Sequence, residues 1–117
     1  MYEYSLTNTV NNAIQALCRK ECWKKVNRIT VKIGGLRRVN PELMAFIFAA
    51  ASKNTPAEGA IFSVMLVPIT YYCYNCKKKT MREDSEFVCP LCGSKNVQLI
   101  SGLEFALEVL EVESDLF

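Results

Sequence analysis

Histidine is absent from all 117 residues. That removes imidazole as a general base poised near neutrality and as a metal ligand. Glycine is sparse, at five residues, and no Gly-rich phosphate loop of the P-loop pattern occurs. An enzyme is therefore not expected. Long apolar runs are lacking too. The longest lies around residues 43–51, well short of the roughly 20 residues that span a bilayer, so no membrane partner is expected. Charge of one dominant sign is also missing. Residues 1–60 hold nine Lys/Arg against four Asp/Glu, and residues 61–117 hold five against eight, for a net +2. That is no electrostatic footprint for nucleic acid. The opening Met1-Tyr2-Glu3-Tyr4 has neither the basic nor the long apolar region of a secretory signal. A reduced, cytoplasmic protein is expected, not a secreted disulfide scaffold.

Against these absences stand six cysteines, four of them in two C-x-x-C pairs, Cys73-Tyr74-Asn75-Cys76 and Cys89-Pro90-Leu91-Cys92. Twelve residues, Lys77 to Val88, separate the pairs, enough for a hairpin. Each C-x-x-C turn lets two thiolates converge from one tight loop. Two turns facing each other supply four soft anionic ligands in a tetrahedron, which suits a structural Zn²⁺. A rubredoxin-type iron site and a redox dithiol are the alternatives. A thioredoxin-like pair would open a helix, whereas both pairs here sit in loop-rich sequence. Residues 71–97 are polar apart from their cysteines and a few aromatics. So small a segment needs metal binding to supply its folding free energy.

The remaining chain reads as a small core. Ser5 is the expected N-cap of a helix from about Leu6 to Cys22, with Leu6, Val10, Ile14, Leu17 and Cys18 on one face and Asn11, Asn12, Gln15 and Arg19 on the other. Cys18 and Cys22, four apart, would stack on that helix. They read as small buried hydrophobes, with a shared soft metal as the alternative. A strand follows over Val26–Ile33, with Arg28, Thr30 and Lys32 on a wet face, and Gly34-Gly35 stops it. Asn40-Pro41 starts a second helix, to about Ser52, that is apolar nearly all round. Such a helix is buried or packs on a second molecule. Core packing is the expectation, with a homodimer as the alternative. Ala60–Val67 is a second strand ended by Pro68. Residues 103–113 alternate like a third strand whose apolar phase slips near Val109, which predicts a β-bulge. A helix over this stretch is the alternative.

The fold class is then α+β, a small three-stranded sheet with two helices plus an inserted zinc-ribbon-like lobe. The expected division is a core of residues 1–68 and 101–117 and a lobe of 69–100, with hinges at Ile69–Tyr72 and Asn96–Ile100.

The opening Met1-Tyr2-Glu3-Tyr4-Ser5-Leu6, Val31-Lys32-Ile33-Gly34, Ala57-Glu58-Gly59-Ala60, both C-x-x-C pairs and Ser101-Gly102-Leu103-Glu104 resemble the HypA/HybF family of [NiFe]-hydrogenase maturation proteins. The resemblance runs in order along essentially the whole chain. It implies a nickel-binding α/β core of two helices and three strands, and structural zinc on Cys73, Cys76, Cys89 and Cys92. It also implies a non-enzymatic carrier that passes Ni²⁺, with a partner GTPase, to the hydrogenase large subunit or, in some organisms, to urease maturation. The family's nickel site opens with Met-His-Glu. Carried onto this chain, the site is the Met1 amine with backbone nitrogen, position 2 and Glu3. Tyr2 stands in place of the histidine, and a phenol, protonated at neutral pH, is a poor ligand. Asn40 stands where relatives can carry an acidic residue.

Three readings follow: a nickel carrier, a zinc-dependent adaptor that has lost nickel, and a zinc-ribbon nucleic-acid binder. The third rests only on Lys77-Lys78-Lys79 with Tyr71, Tyr72 and Tyr74 nearby.

Overall fold

A computed structural model describes residues 2–82 and 87–114, with the side chains of positions 109 and 110 excepted. The element order is α1 (Tyr2–Glu21), β1 (Trp23–Gly34), a 3₁₀ turn (Gly35–Arg37), α2 (Pro41–Ala51), β2 (Ile61–Val67), β3 (Ile69–Cys73), β4 (Lys79–Arg82), β5 (Val97–Ser101) and β6 (Phe105–Ser114). The described residues form two three-stranded sheets, in the orders β2-β1-β6 and β4-β3-β5. The chain divides into two compact units, one of Met1–Val31, Val39–Met65 and Leu107–Phe117, the other of Lys32–Arg38 and Leu66–Ala106.

In the first unit, α1 buries Leu6, Val10, Ile14 and Cys18 of the stripe expected from helical spacing, while Leu17 is only half-buried and Thr7, not expected there, is buried beside them. The helix begins at Tyr2, not at Leu6. Ser5 does not cap it, and its carbonyl instead accepts from Thr9 Oγ1 within the helix. The first turn carries no apolar stripe, so periodicity could not reveal it. Cys22 lies beyond the helix, exposed and left-handed at φ 57°. That removes it from the helical i, i+4 position over buried Cys18. Burial raises the Cys18 thiol, partly offset by the neighbouring Arg19 charge.

β1 is the central strand of its sheet, and Val26, Ile29, Val31 and Ile33 are buried on it. Thr30, expected on the wet face, is also buried, because neighbours on both sides screen a central strand. Arg28 on the same strand pairs with Glu111 of β6 at 3.4 Å. On α2, Met44, Ile47 and Phe48 face inward, and Phe48 stacks on Phe62 of β2 with ring centroids 4.8 Å apart. Asn11 Nδ2 of α1 donates to the Ala51 carbonyl of α2 at 3.4 Å. The core reading of α2 holds for that face, while Phe46 is 74% exposed. Residues 105–114 form a strand and not a helix. The bulge expected near Val109 falls on a side chain outside the described residues.

The second unit is built around β3, antiparallel to both neighbours. Tyr71 pairs with Thr80 on β4 and with Leu99 on β5. Between the pairs Thr70↔Ser101 and Tyr71↔Leu99 the register shifts, which leaves Ile100 as an extra residue in β5. Ile69, Tyr71 and Cys73, alternate residues of one strand face, are buried, and Phe87 packs edge-on against Tyr71 at 5.3 Å. Arg82 Nη1 donates to the Val88 carbonyl at 2.8 Å and ties the cysteine loop to β4. The segments expected as hinges are thus largely paired strands. Gly34, expected only to stop a strand, marks a close backbone approach. A Cβ there would lie 2.0 Å from the carbonyl carbon and oxygen of Gly102. Gly34 N–H donates to Glu104 O at 2.7 Å, and Leu36 N–H donates to Gly102 O at 2.9 Å.

Candidate metal centre

β3 ends on Cys73, so the strand delivers the first thiol directly into the turn that follows. Lys77 N–H donates to Cys73 O at 2.8 Å, and Cys73 N–H donates to Lys78 O at 3.0 Å. The second pair folds the same way: Gly93 N–H donates to Cys89 O at 2.9 Å, and Cys89 N–H donates to Ser94 O at 2.8 Å. In each turn these two bonds close the loop, and its two thiols converge on the same point as those of the other turn. Tyr74 N–H donates to Asn96 O at 3.0 Å and seats the first turn beside the start of β5.

The four sulfurs of Cys73, Cys76, Cys89 and Cys92 all lie within 4.8 Å of one another. Across the two turns, Cys73 Sγ is 3.6 Å from Cys92 Sγ and Cys76 Sγ is 3.7 Å from Cys89 Sγ. A zinc–sulfur bond of about 2.3 Å in a regular tetrahedron requires sulfur–sulfur edges of about 3.8 Å. The donor set and its spacing therefore fit a Zn²⁺ with a closed coordination shell. Cys73 and Cys89 are buried, Cys76 is half-buried and Cys92 is exposed, so the first cysteine of each pair anchors the site in the lobe.

As free thiols, Cys73, Cys76 and Cys89 are unequal. The Cys76 amide, 3.5 Å from Cys73 Sγ, pulls the Cys73 thiol below its ordinary value. It does so against burial, and the Asn75 amide and the thiols of Cys92 and Cys76 add to the pull. Burial raises Cys89, but the amides of Cys92 and Leu91 and the neighbouring thiols outweigh it and bring it down to about 6. Cys76 is pushed up to about 12, by burial first and then by the surrounding thiols, which it serves as a donor. Asn75 Nδ2 also lies 3.7 Å from Cys92 Sγ. N–H groups aimed at sulfur stabilise thiolates, which is what a cation needs from its ligands.

At the other candidate centre, Met1 lies outside the described residues. Tyr2 is exposed. Glu3 is half-buried, and its Oε2 accepts from the Asn40 amide at 3.1 Å. The structure thus brings together Glu3 and Asn40, residues 37 positions apart that no local pattern connects. Of the aromatic set beside Lys77-Lys78-Lys79, Tyr71 is fully buried and Tyr72 meets Tyr74 edge-on at 5.1 Å. No helix among the described residues is long and apolar enough to cross a membrane.

The profile of the family described as "Hydrogenase/urease nickel incorporation, metallochaperone, hypA" matches residues 1–112. The chain is 34% identical over 113 residues to the hydrogenase maturation factor HypA of Albidiferax ferrireducens, covering 97% of this chain and 100% of that protein. It is 33% identical over 115 residues to the HypA of Aquifex aeolicus, covering 98% and 100%. Its fold is similar to the solution structure of the nickel metallochaperone HypA from Helicobacter pylori, with a TM-score of 0.61 over 97% of each chain at 23% identity.

Proposed function

The chain belongs to the HypA family of hydrogenase/urease nickel-incorporation metallochaperones, and on that footing we propose that it carries Ni²⁺ for insertion into a [NiFe]-hydrogenase. The observation behind this reading is coverage. The family profile runs through residues 1–112, and the maturation factors of Albidiferax ferrireducens and Aquifex aeolicus align over their whole length. The protein acts as a carrier and not as an enzyme, in the cytoplasm, together with a nickel-handling GTPase and the hydrogenase large subunit.

Cys73, Cys76, Cys89 and Cys92 hold Zn²⁺ as a structural ion, which closes residues 69–100 into a lobe. Residues 1–68 and 101–117 form the core that handles nickel. The ion enters at the Met1 amine and adjacent backbone nitrogen, with Glu3 as the carboxylate ligand. A free amino terminus preorganises nitrogens in fused chelate rings, and Ni²⁺ favours such a nitrogen-rich planar set. Tyr2 contributes its backbone, and the side-chain ligand of the Met-His-Glu pattern is missing.

That missing imidazole favours a second reading, a zinc-dependent adaptor that binds protein partners without nickel. Calorimetric titration of Ni²⁺ into zinc-loaded protein with an unmodified amino terminus decides between them. Binding tighter than about 1 mM, roughly 4 kcal/mol, is expected. It should be abolished by acetylating the terminus and strengthened by Tyr2→His. Without such binding, alone or with the GTPase, the adaptor reading stands instead.

A further inference from the structure

Asn40 is the N-cap of α2. Its side-chain Oδ1 accepts from Leu43 N–H at 3.1 Å, and its carbonyl accepts from Met44 N–H at 3.1 Å. In a capping box, the cap side chain takes the amide three residues on, and a Glu or Gln at that third position reaches back to the amide of the cap. Here the third position is Leu43, which has no side-chain acceptor. The returning bond comes from another helix, since the Asn40 amide donates to Oε2 of Glu3 in the first turn of α1. The backbone beneath that carboxylate is itself held, because Glu3 O accepts from the fully buried Thr7 hydroxyl at 2.7 Å. The negative charge also sits at the positive end of the α2 dipole.

We propose that Glu3 closes an interhelix capping box on α2, and that a cation taken up at the first residues of the chain competes for the same carboxylate, so that metal occupancy loosens the first turn of α2. The competition rests on the nickel reading above, whereas the cap does not. A dication coordinated by Glu3 withdraws charge from its oxygens and re-aims the carboxylate, and both changes weaken the acceptor offered to Asn40. Linkage makes the effect reciprocal: the factor by which metal weakens the cap is the factor by which the cap weakens metal binding. A site that must surrender its cargo gains from such a built-in opposition.

Hydrogen–deuterium exchange over residues 39–46 tests both halves, on zinc-loaded full-length protein with a free amino terminus, with and without Ni²⁺. Wild type, Glu3→Ala and Glu3→Gln are compared, with Ni²⁺ binding followed by calorimetry. Glutamine keeps an acceptor for the Asn40 amide but loses the charge that holds a dication, so it separates the two roles. Without metal, Glu3→Ala is expected to exchange about fivefold faster, the equivalent of roughly 1 kcal/mol for a lost cap. Glu3→Gln should stay within about twofold of wild type. Ni²⁺ should speed exchange several-fold in wild type and leave both variants unmoved. Equal metal-free exchange in wild type and Glu3→Ala overturns the cap. Nickel that binds wild type without changing its exchange overturns the competition and leaves the nickel reading intact. Absence of nickel binding overturns the nickel reading and the competition together, with the metal-free comparison still deciding the cap. Should Glu3→Ala fail to fold, the metal response of wild type against Glu3→Gln decides.

Discussion

Lys77 and Gly93 occupy the same place in two copies of one turn. Each donates its amide to the carbonyl of the cysteine four residues before it, at 2.8 and 2.9 Å, and each has a positive φ, 57° and 73°. Each of those cysteines also donates to the carbonyl five residues on, of Lys78 or Ser94. The repeat lives in the backbone, since Tyr74-Asn75 and Pro90-Leu91 have nothing in common beyond their length. One copy meets the left-handed position with glycine. The other accepts a side chain there, at a cost of roughly 1 kcal/mol.

Gly93→Ala isolates that cost. No atom lies within 4 Å of where a Cβ would sit at Gly93, so the substitution meets no clash and is felt only through the backbone. Zinc affinity, measured by competition with a chromophoric chelator, should fall about fivefold, or roughly 1 kcal/mol. Lys77→Gly should shift it the other way by less, because the added freedom of the unfolded chain offsets part of the gain. An unchanged affinity in Gly93→Ala would show that the left-handed turn is not needed to present the thiols.

Gly34→Ala is the opposite experiment. The backbone of Gly34, at φ −66° and ψ 143°, is one any residue adopts. The cost is steric, from a Cβ placed 2.0 Å from the carbonyl carbon and oxygen of Gly102. Backbone cannot swing aside as a flexible side chain would. A loss of roughly 3 kcal/mol or more is expected from the urea midpoint at unchanged m-value. A loss below about 1 kcal/mol would mean that the two segments separate freely.

Zinc binding should depend on pH with a break near 6. The ion takes thiolates, so each thiol still protonated in the free protein must release its proton on binding. Cys76, near 12, gives up a full proton throughout the neutral range. Cys89, near 6, is already ionised above that pH and carries a proton below it. Affinity therefore falls as pH falls, and the slope of log affinity against pH steepens by about one on passing below 6. Chelator competition between pH 5 and 8 measures this directly. A constant slope through that range would contradict the assignment of Cys89 as the low thiol.

Much of the candidate site was legible without coordinates because metal ligation leaves a local mark. The spacing of Cys73, Cys76, Cys89 and Cys92 was enough to propose four converging thiols, and the structure brings their sulfurs within 4.8 Å of one another. The stripe Leu6, Val10, Ile14, Cys18 was equally readable, as was the Asn40-Pro41 start of α2, because caps and helical periodicity are written within a few residues. Legibility failed where the cause lay far along the chain. Thr30 has the polarity of a surface residue and is buried because its strand is central. Tyr71 looked like a neighbour of a lysine run, and it is the buried centre of the lobe's sheet, with Phe87 edge-on against it.

The sequence alone determined the four cysteines as a metal site, because short-range spacing and residue chemistry suffice for that. The opening Met1-Tyr2-Glu3 is a second place to seek metal chemistry only through the resemblance to the HypA/HybF family. What only the tertiary structure decided is how the second place is held. Glu3 and Asn40 meet across 37 residues because two helices pack with their first turns adjacent. A hydrogen bond of that kind depends on where chain segments arrive in space, which no local pattern encodes.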